Sequence, residues 1–280
     1  MRGQSLAVAI QNETGMRALF LGDIVGAHAV VAVAQALPAW RRDRGLDLVI
    51  ANAENATVSR DDDPRTGFGM SAKAVETLLE AGVDIITGGN HSWDAPDCET
   101  VLDSARVLRP HNVAGTLAGH GVAEWKGGGR KIAVVNLIGA SAAGRRYTVS
   151  NPLAAFDALA LDDRHVIVDF HSDSVTEKQT FAHAVDGRVS AVIGTHTHEP
   201  SLLVHRLPRG SVFVADAGMV GPLGGVQGIG PAYYVHEMAE FREPHSFELA
   251  SGPLTVGGII LEIAEDGSAM GERVAPTLVT

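Results

Sequence analysis

The sequence predicts an α/β protein, and three observations support this prediction. Short apolar runs rich in Val and Ile recur along the chain and are bounded by Gly, Asn and Asp. Stretches with helical periodicity lie between several of these runs. No repeat with a period of about 20–50 residues and no low-complexity linker interrupts the pattern. Alternating strands and helices are typical of sheets that helices cover on their outer faces.

The predicted strands are runs of four to seven residues whose composition is typical of buried strands. They span residues 18–21, 47–51, 83–86, 131–137, 165–170, 189–193 and 211–215. A further strand is predicted at residues 253–263, and the C-terminal stretch is expected to form its hairpin partner. Residues 218–230 contain six glycines in thirteen positions and therefore predict a loop.

Three helices are predicted between the strands. Residues 29–44 form the first, although Pro38 is expected to kink it or split it in two. Residues 71–81 form the second, since Ser71 can cap its N-terminus. Residues 176–185 form the third.

The charge and the cysteine count limit the classes of partner. Lys and Arg number 22, and Asp and Glu number 33, so the formal net charge is −11. This balance argues against binding of long nucleic acid, which requires clustered cations. A bound metal could still attract a single nucleotide. The one cysteine, Cys98, excludes an internal disulfide and fits a reducing compartment.

The N-terminal segment does not resemble a signal peptide. Its apolar run, residues 6–10, is shorter than the roughly 7 apolar residues that such a peptide needs. No apolar run approaches the roughly 18 residues of a membrane span. We therefore expect a cytoplasmic protein without a membrane partner. Residues 1–15 are expected to form an N-terminal extension, and residues 16–280 a single domain.

Potential metal ligands follow five of the first six predicted strands. They are Asp23, Glu54, Asn55, Asn90, His91, Asp94, His171, His196 and His198. Ligands of open α/β sheets bind beyond the carboxyl ends of the strands, so these side chains are expected to converge. Mixed oxygen and imidazole donors suit Mn, Fe, Co or Zn, and their number suits two ions better than one. Glu54 or Asp23 would then bridge the two ions.

Each of these residues has a simpler interpretation when taken alone. Asp after a strand is usually a turn residue or a helix cap, and Asn90 alone would be a turn residue. The His196-x-His198 pair is more informative, because alternate side chains of an extended segment point the same way. Five such features at five strand ends favour a common metal site.

The motifs also resemble those of a known family. Gly22-Asp23, Gly89-Asn90-His91 and residues 194–198 resemble the sequence blocks of calcineurin-like metallophosphoesterases. The resemblance is closer to a bacterial subfamily, the YmdB-like metallophosphoesterases, whose pattern is matched in order from about residue 16 to the C-terminus. The matching segments are residues 21–26, 52–55, 89–94, 168–171, 194–198 and 216–222. The resemblance implies a four-layer α/β/β/α sandwich, the calcineurin-like metallophosphoesterase fold, with a two-metal centre.

The resemblance also implies a role for each site residue. One ion would be held by Asp23, Glu54, Asn55 and His198, and the other by Glu54 as the bridge together with Asn90, His171 and His196. His91 would be the general acid. The broader superfamily begins with Asp-x-His, whereas this chain has Val25 at the third position, and Asn55 is expected to replace the missing imidazole. An insertion at residues 61–67 lengthens a loop near the site and bears on substrate preference.

The resemblance implies a dinuclear phosphodiesterase that hydrolyses small phosphodiesters, with 2′,3′-cyclic nucleotides as the expected substrates. A hydroxide bridging the metals would attack phosphorus, and His91 would protonate the leaving group. Asp94 would either orient His91 or cap the following helix. Fe or Mn is the expected metal, with Zn, Co or Mg as alternatives, and a homo-oligomer is expected. The alternative functions are a phosphomonoesterase and a metal-containing regulatory protein with little catalysis.

Overall fold

The computed structural model describes residues 15–58, 68–161, 165–240 and 248–279. Within these ranges the chain forms thirteen strands and seven helices. In chain order they are β1 Met16–Leu21, β2 Asp23–Ile24, α1 Ala27–Arg44, β3 Leu48–Asn52, α2 Ala72–Ala81, β4 Ile85–Thr87, α3 Cys98–Leu102, β5 Val122–Gly127, β6 Arg130–Ile138, α4 Ala140–Ala143, α5 Pro152–Ala158, β7 Val166–His171, α6 Val175–Ala184, β8 Ala191–Thr195, β9 Val204–Arg206, β10 Val212–Val214, β11 Met219–Pro222, α7 Pro231–Glu240, β12 Leu254–Ile263 and β13 Ala269–Val279. The predicted extension, apart from residue 15, and the 61–67 insertion lie outside the described residues.

The strands form two sheets. The first has seven strands in the order β2-β11-β12-β1-β3-β4, with β13 paired to β12. The second has six strands in the order β5-β6-β7-β8-β10-β9. Strands β1, β3 and β4 are parallel in the first sheet, and strands β6, β7, β8 and β10 are parallel in the second. The carboxyl ends within each parallel set therefore lie at one edge of their sheet, where ligands of such sheets bind.

Alternating side chains of β1 show how the layers pack. Leu19 and Leu21 belong to the apolar cluster that α1 and α2 cover. Ala18 and Phe20 belong to a second cluster, which lies between the two sheets. Helices α5 and α6 cover the outer face of the second sheet through Phe156 and Phe181. The predicted four-layer α/β/β/α sandwich is confirmed.

The first helix begins earlier than the predicted residue 29 and is not split in two at Pro38. Helix α1 runs without a break from Ala27 to Arg44, with Pro38 inside it. Pro38 lies on the exposed side of the helix, where water can satisfy the carbonyl that the missing N–H leaves free. The predicted cap of α2 is confirmed, because Ser71 Oγ accepts a hydrogen bond of 3.3 Å from the backbone N–H of Ala74. No helix in the described part of the chain combines the length and apolar character that crossing a bilayer requires.

The glycine-rich segment at residues 218–230 is not a loop throughout, so that prediction is partly wrong. Its first residues form β11, which pairs with β2 on one side and β12 on the other. Long-range pairing thus overrides the weak strand propensity of glycine. The predicted C-terminal hairpin is confirmed as β12 and β13. Several other elements were not predicted from the sequence, namely β2, β5, β9, α4, α5 and α7.

Candidate metal centre

The structure brings the seven candidate metal ligands together at the carboxyl ends of strands from both sheets. Asp23 lies in β2, Glu54 and Asn55 follow β3, Asn90 follows β4, His171 ends β7, and His196 and His198 follow β8. Five of them are buried, with at most 7% of the residue exposed. These five are Asp23, Glu54, Asn55, His171 and His198.

One group of ligand atoms surrounds the His171 ring. His171 Nε2 lies 3.1 Å from Glu54 Oε1 and 3.0 Å from Asn90 Oδ1. The same nitrogen lies 2.9 Å from His196 Nδ1. Ligand atoms of Glu54, His171 and His196 all lie within 4.8 Å of one another, which is close enough to share one cation.

A second group surrounds His198. His198 Nε2 lies 3.7 Å from Asp23 Oδ1 and 3.1 Å from the side-chain amide nitrogen of Asn55. That amide nitrogen is in turn 3.5 Å from Glu54 Oε1. Glu54 therefore contacts both groups.

Each of the three histidines has a partner on its outer nitrogen. His171 Nδ1 lies 2.9 Å from Thr195 Oγ1, and His198 Nδ1 lies 3.0 Å from the carbonyl oxygen of Gln227. His196 Nε2 lies 3.1 Å from a carboxylate oxygen of Asp173. Metal-ligating histidines characteristically donate their second N–H to such partners, which fixes the tautomer and the ring orientation. The remaining nitrogen of each ring faces the candidate ligand groups.

Thr195 links His171 to a further buried carboxylate. Its Oγ1 donates to Asp169 Oδ1 over 2.6 Å. Asp169 Oδ2 also accepts hydrogen bonds from Thr87 Oγ1 at 2.5 Å and from the Asn52 amide at 3.0 Å. Burial raises the pKa of Asp169 to about 6 despite the nearby His171 and the two threonine hydroxyls. This carboxylate joins residues of β3, β4, β7 and β8 beneath the centre.

The His196-x-His198 segment is not extended, so the predicted geometry of this pair is wrong. His196 has φ of 95° and His198 has φ of 64°, values in a region that L-residues seldom adopt. The two imidazoles consequently do not share a strand face. His196 contacts His171, and His198 contacts Asp23 and Asn55.

The donor set fits divalent cations. Asp23 Oδ1 and Asn55 Oδ1 are buried and have no hydrogen-bond partner among the described residues, an arrangement that costs about 1–3 kcal/mol for each unsatisfied group. A cation would satisfy both oxygens. The backbone of Gly89 also lies unusually close to two ligand atoms, since a Cβ at this residue would lie 2.3 Å from both Glu54 Oε2 and His171 Nε2. Only glycine therefore fits beside these two ligand atoms.

The protonation pattern of the metal-free cluster agrees with a cation site. Burial by itself lowers the pKa of His171, but the attraction of Glu54 and their hydrogen bond raise it to about 9. Burial by itself raises the pKa of Glu54, yet His171 lowers it below the usual range. Burial, followed by repulsion from His171, lowers the pKa of His196 to about 3. Burial raises the pKa of Asp23 against the opposing attraction of His198 and His171. Glu54, Asp23 and Asp169 thus favour a positive charge at His171.

His91 lies beside the ligand groups and is held on three sides. Its Nδ1 lies 2.6 Å from Asp94 Oδ2, and its backbone N–H donates to Glu54 Oε2 over 2.9 Å. The Phe68 ring stacks on the imidazole at 4.1 Å with an interplanar angle of 18°. Asp94 is also paired with the Arg146 guanidinium. Of the two alternatives for Asp94, the structure therefore shows contact with His91.

The capping alternative for Asp94 is not observed. Helix α3 begins at Cys98, and Asp97 rather than Asp94 occupies its N-cap position. Burial raises the pKa of the Cys98 thiol at the start of this helix.

Several residues that surround the centre were not predicted from the sequence, namely Phe68, Arg146, Asp169, Asp173, Thr195 and Gln227. Asp169 had a usable signal, because it lies two residues before His171 in an apolar strand and thus on the same face. Gln227 acts through its backbone carbonyl, so no residue type could reveal it. Arg146 comes from the segment after α4, and no local pattern connects it with His91.

The two packed sheets and this ligand cluster define a metallophosphoesterase-type fold, which implies divalent metal ions. A crystal structure of 5′-nucleotidase from Candida albicans shares the fold at 11% identity and a TM-score of 0.54, covering 92% of this chain and 51% of that chain. A crystal structure described as a novel phosphatase from Mycoplasma pneumoniae is much more similar. It is 31% identical, has a TM-score of 0.85, and each chain is covered to 94%.

Residues 19–274 match the family described as YmdB-like protein, and the chain belongs to this family. A 2′,3′-cyclic-nucleotide 2′-phosphodiesterase from Bacillus subtilis is 31% identical over 255 residues, covering 89% of this chain and 91% of the relative. A crystal structure of a hypothetical protein from Thermus thermophilus is 32% identical with a TM-score of 0.79, covering 93% of this chain and 100% of that one. The family resemblance inferred from the motifs is confirmed.

Proposed function

We propose that the chain is a metal-dependent phosphodiesterase that hydrolyses small phosphodiesters, with 2′,3′-cyclic nucleotides as its substrate class. The observation that carries this proposal is the arrangement of three imidazoles. Each has an outer hydrogen-bond partner, and each turns its other nitrogen toward other candidate ligands. The name of the Bacillus subtilis relative supports the substrate class.

Two ions would be held by the seven candidate ligands. Asp23, Glu54, Asn55 and His198 would hold one, and Glu54, Asn90, His171 and His196 would hold the other. The contacts of Glu54 with both groups support its role as the shared ligand. Mixed oxygen and nitrogen donors suit Mn, Fe, Co or Zn, and we propose Fe or Mn, with Zn, Co or Mg as alternatives. When bound, such ions activate water and offset the negative charge of the phosphate.

His91 would supply the proton that the leaving alkoxide needs. Asp94 holds Nδ1, so Nε2 is the nitrogen that can donate to the leaving oxygen. The His91 side chain is 23% exposed and can therefore meet a bound substrate. In a cyclic diester, the oxygen of water would form a new bond to phosphorus while one ring P–O bond breaks, and the proton from His91 would end on the released ribose hydroxyl.

A two-step assay tests the proposal. The purified protein is stripped with a chelator, reloaded with Mn²⁺ or Fe²⁺, and offered 2′,3′-cyclic AMP, bis(p-nitrophenyl) phosphate and p-nitrophenyl phosphate. We expect metal-dependent turnover with the diesters preferred over the monoester. Preference for the monoester would indicate a phosphomonoesterase, and the absence of turnover in a metal-loaded preparation would favour a regulatory protein. Cytoplasmic location and self-association stay predictions.

A further inference from the structure

A buried ion pair lies next to the His196–His198 turn and takes no part in the proposed reaction. Lys178 Nζ, on α6, lies 2.9 Å from Asp216 Oδ2. Lys178 is 0% exposed and Asp216 is 3% exposed. Burying a charge pair brings little net stability, because desolvation offsets the attraction. The pair is therefore better explained by its contact with the neighbouring turn than by a contribution to the stability of the core.

The Asp216 carboxylate holds the middle of the turn. Its Oδ2 accepts hydrogen bonds from both the backbone N–H and the hydroxyl of Thr197, at 3.1 and 2.7 Å. The carbonyl of Asp216 accepts a further bond from the Ser201 N–H at 3.1 Å. One residue thus fixes the turn at two points.

The turn requires such fixation because it is strained on both sides of Thr197. His196 and His198 both have positive φ, and such conformations persist only where the surrounding structure holds them. The two donors of Thr197 are the groups that lie between these two residues. Release of Thr197 from Asp216 would let the backbone relax and would turn both imidazoles away.

The same carboxylate is linked to the first sheet. Asp216 Oδ1 accepts from the Gly218 N–H at 2.8 Å, and the Gly218 carbonyl accepts from the Asp23 N–H at 3.2 Å. Asp23 Oδ2 in turn accepts from the His196 N–H at 3.1 Å. Asp216 therefore connects candidate ligands of both groups through short chains of hydrogen bonds.

Lys178 reaches Asp216 only because residue 194 is glycine. A Cβ at Gly194 would lie 2.8 Å from Lys178 Cδ and 2.1 Å from the carbonyl oxygen of Ala215. The glycine of the Gly194-Thr195-His196-Thr197-His198 motif thus makes room for the lysine stem. The motif and the ion pair form one packed unit.

We propose that Asp216 and Lys178 are a positioning pair, which holds Thr197 and thereby directs the imidazoles of His196 and His198 into the centre. This inference rests on the proposed function, because it concerns the geometry of the same metal site. Neither residue touches the substrate in this account. Their effect passes through the backbone of the turn.

The first test removes one hydroxyl and keeps the side-chain shape. Thr197→Val in the full-length, metal-stripped protein is expected to weaken Mn²⁺ binding about 10–100-fold in calorimetric titration. Thr197→Ser restores the hydroxyl and is expected to restore the affinity. Thr77→Val is the matched control, because Thr77 donates to the Lys73 carbonyl within α2 and has no contact with the turn.

The second test separates positioning from stability. Lys178→Met leaves Asp216 without its cation and is expected to lower both the metal-free melting temperature and the Mn²⁺ affinity. Adding Asp216→Asn removes the unpaired charge and is expected to recover the melting temperature. The Mn²⁺ affinity is expected to stay low, since asparagine has one acceptor oxygen where the carboxylate has two, and its NH2 group cannot accept, so Thr197 and Gly218 cannot both keep their hydrogen bonds.

The outcomes distinguish this inference from the proposed function. Wild-type protein that binds no Mn²⁺ would overturn both. Wild-type binding that is retained unchanged in Thr197→Val would overturn the positioning role alone. Recovery of Mn²⁺ affinity together with the melting temperature in the Lys178→Met/Asp216→Asn protein would also overturn it, because stability would then explain the whole effect.

Discussion

The two sheets contribute different chemistry to the candidate centre. The first sheet supplies oxygen donors and the proposed acid, namely Asp23, Glu54, Asn55, Asn90 and His91. The second sheet supplies the three remaining imidazoles, those of His171, His196 and His198. The imidazoles are held by outer hydrogen bonds, whereas two oxygens of the first sheet lack partners among the described residues.

This difference shows how the two halves of the centre depend on a cation. The imidazole half comes from the second sheet, and the oxygen half comes from the first. The imidazole half is already oriented by its protein partners, so binding a cation costs it little reorganisation. The oxygen half contains buried acceptors that only a cation or water can satisfy. Variants should therefore distinguish residues that would bind the ions from residues that orient those ligands.

The largest effect is expected for His171→Ala, because His171 contacts Glu54, Asn90 and His196. We expect loss of at least one equivalent of metal and a fall in kcat/KM on the order of 10³-fold or more, measured by elemental analysis and diester hydrolysis. His183→Ala, at an exposed position on α6, is the control. Full metal content in His171→Ala would show that the imidazole half does not bind the ion.

His91→Ala should separate catalysis from metal binding. Metal content is expected to stay at the wild-type level, while kcat for a cyclic nucleotide falls about 10²–10⁴-fold. The loss should be much smaller for bis(p-nitrophenyl) phosphate, because p-nitrophenolate leaves without protonation. A wild-type rate on the cyclic nucleotide would remove the proton-donor role.

Thr195→Val tests whether the outer partners orient the imidazole half. The substitution keeps the shape of the side chain but removes the hydroxyl between His171 and Asp169. We expect metal affinity to fall about 10–100-fold, as measured by titration of stripped protein. Unchanged affinity would contradict the view that this half is held by its outer hydrogen bonds.

The smallest effect is a pH dependence of the metal-free protein. The pKa of His171 is raised from 6.5 to about 9 by Glu54 against the effect of burial. Its contribution to stability is therefore complete below about pH 6.5 and is lost as the pH rises through about 9. The melting temperature in chelator should fall across this range, whereas the His171→Gln variant should show a flatter profile. A melting temperature that rises toward pH 9 would contradict this assignment.

Much of the fold could be predicted because strands are marked locally. Buried runs such as β3 and β8 are continuous stretches of apolar residues, and polar residues mark the points where they end. The prediction failed where distant segments decide the conformation. Strand β11 exists because β2 and β12 flank a glycine-rich segment, and α1 continues through Pro38 because that residue faces solvent.

The candidate site shows the same division. Residue types at strand ends predicted which side chains would gather, and the structure brings all seven together. The turn at His196 and His198 could not be predicted, because its positive φ values depend on hydrogen bonds from Thr197 to Asp216. No local pattern indicates a partner that comes from another strand.

The amino-acid sequence alone determined the order of the main strands and helices and the donor types placed after five of the first six predicted strands, because short-range periodicity and turn chemistry encode both. Tertiary structure alone decided which atoms face each other. Three sets of contacts were decided in this way. Asp94 pairs with His91 and Arg146. Thr195 lies between His171 and Asp169, and Thr197 donates a hydrogen bond to Asp216. Such contacts depend on strand register and on backbone conformations that only segments distant in the chain can impose.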